Sequence, residues 1–245
     1  MPFPGLRMKV VYRIAVKDVR IYFFKGPNLT FGILLPLVLY WAFAIDRQLD
    51  LTVVIPGLIA MAILFGAGAI QGVSLPLERR TGTLNTLLAA PSKLSTVMLG
   101  KALAGMIFGI LLSLIYLVAV IVLTPLRMNL LLFVTACMFA SFCFSCFGLF
   151  LAAPFRDIPQ AMPPATVIRI AMVFLSSTFT PVETISTSRH VVAQVMPQTY
   201  AVDALRQAGR SPTNLGLYAM DLAILALLGT AFLIIATLLV KRSFD

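Results

Sequence analysis

Long apolar runs separated by short polar islands make up most of the chain, and their lengths predict its elements. Runs at about Leu29–Ile45, Thr52–Leu77, Leu103–Leu123, Leu130–Ala153, from Pro163-Pro164 to Phe179, and Leu215–Val240 approach or exceed the roughly 20 residues that a helix needs to cross about 30 Å of hydrocarbon. They predict two spans within 29–77, three within 93–179 and one at 215–240. Pro36 predicts a kink in the first, with Tyr40 and Trp41 as aromatic anchors. In the second, the Gly68/Gly72 pair lets a neighbouring helix approach closely, which is read as packing within the chain. The adjacent Pro163 and Pro164 predict the first turn of the fifth span.

Three stretches break this pattern. Residues 1–28 carry Arg7, Lys9, Arg13, Lys17, Arg20 and Lys25 against one acid, Asp18. At a helical rotation of about 100° per residue, Lys9, Arg13, Lys17 and Arg20 fall within about 80° of one another, with Val11, Ile14, Ala15, Val19 and Tyr22 over much of the rest. That spacing predicts a basic amphipathic helix in the membrane interface, either a positive flank or a surface that also meets a partner. A signal peptide would follow its charges with an apolar run and a small-residue cleavage site, whereas here the charge continues.

The second stretch runs from Glu78 to Pro91. Thr81, Gly82 and Thr83 supply turn and cap chemistry, Leu84, Leu87 and Leu88 recur at i, i+3, i+4, and Pro91 disfavours helix at Ala90. The result is a helix of about two turns with one apolar stripe, too short to stand alone in water. It needs a body to dock on, in this chain or in another.

The third stretch, 180–212, holds two half-length segments, Val191–Met196 and Tyr200–Ala208, broken by Pro197. Neither can span, so they read as outer re-entrant or interfacial helices, with Thr199 capping the second and Gly209 at a left-handed terminus.

Composition turns these lengths into a class. The 245 residues are 60% hydrophobic and 11% charged, with a mean hydropathy of +0.99. No soluble domain of this size hides so much apolar surface, so the fold class is an all-α polytopic membrane protein, one transmembrane domain over 1–245. The net charge of +10 elsewhere suggests nucleic acid. Here the basic residues concentrate in residues 1–28, the 78–91 island with Lys93 and Lys101 after it, the 154–160 loop and the Lys241-Arg242 tail, as the positive-inside rule distributes them. Nucleic acid is therefore not an expected partner. Both termini and the island are assigned to the cytoplasmic side of the plasma (inner) membrane.

Candidate chemistry is sparse. Gly100-Lys101-Ala102 lacks the P-loop's first glycine, since position 95 is Ser, and Ala102 replaces the magnesium-binding hydroxyl. Cys143 and Cys146 form a CxxC among Phe, Ser and Leu, where they read with Cys137 as small packing residues. His190 is the only histidine, and the acids make no metal or acid/base pair. Two residues are pathway candidates. Arg169 lies about 8 Å above the expected helix start, where it either snorkels to the inner interface or faces a cavity. Asp221 lies near the outer end of the last span. The spans lack the buried acids and bases of an ion-coupled pump, so any work the chain does draws on energy supplied by another protein.

Glu78-Arg79-Arg80, Gly82-Thr83-Leu84 and the terminal Ala90-Pro91 together resemble the cytoplasmic signature of the ABC type-2 permeases. The basic N-terminus, Phe179-Thr180-Pro181 and the run from Pro197 to Arg206 (PQTYAVDALR) are similar to that family in matching order over essentially the whole chain. Ser176-Ser177-Thr178 departs from the family's small-Gly pattern before the outer turn. The resemblance implies the transmembrane subunit of an ABC exporter, with no catalytic site of its own, dimerising around a central pathway. A separate ATP-binding-cassette subunit would bind ATP and Mg. Glu78, Arg79, Arg80, Gly82, Thr83, Leu84, Leu87, Leu88 and Pro91 would form the coupling helix seated on that subunit. Glu78, Arg79 and Arg80 would pair across the interface, and Lys9, Arg13, Lys17 and Arg20 would brace it. Pro181, Pro197, Tyr200, Asp203 and Arg206 would form the outer gate. Export of an amphiphile such as a lipid, glycolipid or lipophilic drug is the leading expectation. A polysaccharide exporter of the same layout, and a pore or assembly subunit without ATP coupling, are the alternatives.

Overall fold

A computed structural model of the chain describes residues 4–22, 30–44, 51–89, 93–123, 129–176, 178, 187–210 and 212–243. The described residues form helices and the turns between them. α1 is Pro4–Tyr22, α2 Leu35–Ala44, α3 Leu51–Arg80, α4 Thr83–Ala89, α5 Leu94–Leu123, α6 Leu130–Ala152, α7 Ile158–Leu175, α8 Thr187–Val195, α9 Pro197–Gly209 and α10 Leu215–Arg242. Five of these, α3, α5, α6, α7 and α10, are long and apolar enough to cross a membrane. The chain is an all-α polytopic membrane protein.

The expected first span is built differently. Thr30–Leu34 forms a π-helical turn that runs into α2, so the described helix covers only about 22 Å at 1.5 Å per residue. Pro36 explains the irregularity, because a proline has no N–H to offer the carbonyl four residues back. That carbonyl, on Gly32, is taken up from outside the helix: the Tyr116 hydroxyl of α5 lies 3.3 Å from Gly32 O and 3.0 Å from Ile33 O. Residues 45–50 lie outside the described residues.

α3 is the axis of the molecule, buried along nearly its whole length, and α5, α6, α7 and α9 pack around it. Its residues Ile55 to Ala67 form the main core with Phe133, Ala140, Phe144 and Val202. Glycines let the helices close on one another. A methyl group on Gly148 of α6 would lie 2.8 Å from the Gly68 Cα, so no larger residue fits at this crossing. Gly68 of the Gly68/Gly72 pair therefore serves a contact inside the chain. On the far side of α6, Phe147 and Phe150 meet Phe232 of α10 with ring centroids 5.1 and 5.5 Å apart.

Two boundaries differ from expectation. α7 begins at Ile158, with Pro159 in its first turn and Pro163 and Pro164 inside it, so the fifth span starts a turn earlier than the proline pair suggests. In α9, Pro197 is the first residue and Met196 the cap, while the Thr199 hydroxyl donates back to Ala193 O at 2.6 Å. Gly209 closes α9 as its last helical residue, and among the described residues Gly82 is the glycine at positive φ.

Candidate functional site

The α3–α4 turn organises one end of the molecule. Gly82 adopts φ 73°, a left-handed conformation that costs other residues strain, and it ends α3. Thr81 N and its hydroxyl both donate to Leu77 O at 2.9 Å, and the hydroxyl also meets that of Thr83 at 2.8 Å. The Gly82 carbonyl then accepts from Asn85 N and starts α4.

The leucine stripe of α4 turns inward. Leu84 is fully buried, and Leu87, half-buried, packs against the same cluster, which contains Ile14, Leu75, Val97 and Met98. The stripe expected to seat in a partner's groove is thus seated, at Leu84 and Leu87, on this chain's own body. The Leu88 side chain and Pro91 lie outside the described residues. Thr83, Asn85 and Thr86 are left exposed on the other face, beside exposed Arg80.

Immediately behind this turn is a closed set of buried charges. Lys101 of α5 lies 2.8 Å from Glu78 Oε2 and 3.1 Å from Asp18 Oδ2. Lys17 of α1 lies 2.5 Å from Glu78 Oε1 and 3.0 Å from Asp18 Oδ1. The contacts to Asp18 Oδ1 and Glu78 Oε2 have ion-pair distances but fall off hydrogen-bond alignment. Two ammoniums and two carboxylates alternate, so the ring is neutral. Lys101 and Asp18 are wholly buried and Glu78 nearly so. The ring continues along α3 as a polar ladder, with Ser74 donating to Gln71 Oε1 at 3.2 Å and the Gln71 amide donating to the Lys101 carbonyl at 2.5 Å.

Burial lowers the basicity of Lys17, but the hydrogen bond to Glu78 and the charges of Asp18 and Glu78 outweigh it and leave its pKa raised. Tyr22, buried one turn on, is pushed up to about 12 by burial and by the same two carboxylates. Of the basic set on α1, Arg13, Lys9 and Arg20 stay exposed while Lys17 turns in. α1 lies on α5 through Ile14, whose side chain sits against Gly100.

All three charges expected to pair across an interface have partners within the chain, two of them buried or half-buried. Glu78 closes the ring. Arg79 donates to Ala153 O at 2.6 Å, Phe155 O at 3.0 Å and the Ser243 hydroxyl at 3.1 Å, pinning the ends of α6 and α10 to the base of α3. Arg80 meets Asp157 at 3.7 Å as an exposed pair.

At the other end, α9 is mostly buried and packs on α3, α6 and α10. Arg206 Nη1 lies 3.1 Å from Asp203, and the Tyr200 hydroxyl donates to Gln194 O at 2.5 Å. Asp221 is buried at the start of α10. Pro181 lies outside the described residues, as do the side chain of His190 and Phe179-Thr180.

Arg169 is buried against α3. It lies about 16 Å along α7 from Ile158, 2% exposed, and its Nη2 donates to Gly68 O at 2.9 Å.

Asp18, Lys101, Gln71 and Ser74 escaped the sequence reading. Gln71, Ser74 and Glu78 stand at i, i+3, i+7 on an otherwise apolar helix, a polar stripe that marks a facing partner. Asp18 carries a second signal as the lone acid on a basic helix.

A family model described as ABC-2 type transporter matches residues 15–208, more than half of the chain. No curated protein matches it.

Proposed function

The chain belongs to the ABC-2 type transporter family and is a membrane permease subunit of an ABC transporter, and from this we propose that it exports an amphiphile with energy from a separate ATPase subunit. ATP and Mg bind that partner. Two copies of the chain pair around the pathway, with both termini, α1 and α4 on the cytoplasmic side of the plasma membrane.

The observation that carries this reading is the placement of the neutral ring directly behind α4, joining α1, α3 and α5. α4 docks on the body through Leu84 and Leu87 and offers Thr83, Asn85 and Thr86 outward. A push on that polar face reaches α3 through the Gly82 turn, and the ring passes it to α5 and α1 as one rigid unit. The ATPase contact is therefore made by the polar face of α4 with Arg80, and Lys9, Arg13 and Arg20 of α1 flank it. Glu78 and Arg79 act behind the contact. The amphiphile fits the wide apolar face of α7, where Val167, Ile168, Ile170 and Phe174 are exposed.

The test is ATPase turnover of the reconstituted complex. Asn85→Trp is expected to cut substrate-stimulated turnover at least tenfold and to weaken copurification of the ATPase subunit, with the permease remaining monodisperse. Wild-type turnover in Asn85→Trp and Thr86→Arg together would sink the assignment.

A further inference from the structure

Among the described residues, the guanidinium of Arg169 is held inside the helix bundle without an anion. Gly68, which accepts from it, lies about 18 Å along α3 from Arg80, past half the depth of a hydrocarbon layer of about 30 Å. A guanidinium has five N–H donors in a planar fork. Among the described residues, one of those donors has an acceptor, the Gly68 carbonyl, while the buried Nε has none. None of the ion pairs among the described residues includes Arg169. A cation at this depth is expensive unless it meets an opposite charge, and where it persists it marks a site.

The surroundings give that charge room. A methyl group on Gly72, one turn from Gly68, would meet only Arg169 Nη2, at 3.7 Å, within 4 Å. Among the described residues, the guanidinium thus borders a gap beside Gly72 that no other side chain reaches. At Gly68 itself the space is tight, with a methyl group 3.2 and 3.3 Å from Nε and Nη2, so the guanidinium is held in place by the α3 backbone. On the outer face of α7, Val167, Ile168 and Ile170 are exposed and apolar. A fork with spare donors and a gap beside it, inside an apolar bundle, suit a ligand with an oxyanion head and a hydrocarbon tail, since guanidinium and oxyanion pair through two parallel hydrogen bonds.

We infer that Arg169, with the gap beside Gly72, is the intramembrane binding site for the anionic head of an amphiphile bearing a phosphate monoester or carboxylate. This rests on the permease reading and narrows its substrate to anionic amphiphiles. Gly68 O takes one Nη2 hydrogen on the crowded Nε side and leaves the Nη1–Nη2 edge of the fork for the ligand.

The test is direct binding to the full chain in phosphatidylcholine nanodiscs, using dodecyl phosphate, dodecanoate, dodecyltrimethylammonium, dodecyl maltoside and inorganic phosphate. Wild type is expected to bind the two anionic amphiphiles at least tenfold more tightly than the cationic or neutral probe, and more tightly than inorganic phosphate. Arg169→Gln is expected to lose that preference at least tenfold, and Arg169→Lys, which keeps the charge without the fork, to lose part of it. Equal binding of all four dodecyl probes to wild type, an undiminished preference in Arg169→Gln, or inorganic phosphate bound as tightly as dodecyl phosphate would each overturn the inference. If Arg169→Gln does not fold, Gly72→Ala decides. Its methyl has ordinary contact distances, so the chain should fold with anionic affinity reduced at least threefold, and wild-type affinity there overturns the site. The binding needs no ATPase subunit, so its failure is separate from a failure of ATPase coupling.

Discussion

Two buried charge sites lie along α3, and they are solved in opposite ways. At the α4 end, Lys17 and Lys101 alternate with Asp18 and Glu78 so that every charge has a counter-charge on another helix or a neighbouring residue. At mid-bundle, Arg169 is held by one backbone carbonyl. The ring is suited to holding three helices together, because breaking a buried pair strands a charge. The arginine contributes little to cohesion and keeps its donors for something that arrives. Charge compensation therefore distinguishes a joint from a binding site within a single helix.

That contrast can be broken most directly at Lys101. Lys101→Ala leaves two carboxylates facing one ammonium and should cost about 3–5 kcal/mol, read as a large fall in thermal unfolding temperature in nanodiscs. Glu78→Met with Lys101→Met removes one charge of each sign and should recover most of the loss. A double variant as unstable as the sum of its single variants would show that the ring is not a unit.

Arg79 is the intermediate case, a cation satisfied by carbonyls and a hydroxyl. Arg79→Ala should cost about 1.5–3 kcal/mol, as charged hydrogen bonds do, and should free the end of α10 to faster hydrogen exchange around Ser243. Arg169→Met should move stability by less than about 1 kcal/mol, with the sign toward stabilisation, since the desolvation it relieves exceeds the one bond it removes. A loss as large as that of Lys101→Ala would erase the distinction.

The smallest effect is with pH. Lys17 has a raised pKa in the fold, so its contribution is complete below its ordinary value of 10.5 and is lost as pH rises through the higher folded value. The docking of α1, followed by tryptic access to Arg13 and Arg20, should be flat through neutral pH and weaken only in strong alkali. Weakening near pH 7 would mean that Lys17 is not held by the two carboxylates.

Much of this was legible from spacing. The long apolar runs found α3, α5, α6, α7 and α10, and Thr81-Gly82-Thr83 before a leucine stripe found the turn and α4. What a stripe cannot state is which body it faces. Leu84 and Leu87 looked like a partner's footprint because two turns cannot stand alone, yet the ends of α1 and α5 lie close enough to cover them. The ring was hidden for a related reason. Lys101 and Lys17 each read as part of a positive flank, and nothing local links Asp18 to a lysine 83 positions later. Arg169 looked shallow because the proline pair suggested a late helix start, whereas α7 begins at Ile158 and carries Pro163 and Pro164 inside it, at the cost of two N–H donors. Pro36 was legible as a defect, but its repair by Tyr116 joins residues far apart in sequence.

The ring also sets an order for biogenesis. Asp18 leaves the ribosome 83 residues ahead of Lys101, an interval of about 4–17 s at translation rates of roughly 5–20 residues per second. Until Lys101 follows, Asp18, and Glu78 once it emerges, have Lys17 as the ring's one ammonium. Insertion of α5 delivers the missing ammonium, so nascent chains truncated before Lys101 should remain open to the quality-control proteases that a finished permease escapes.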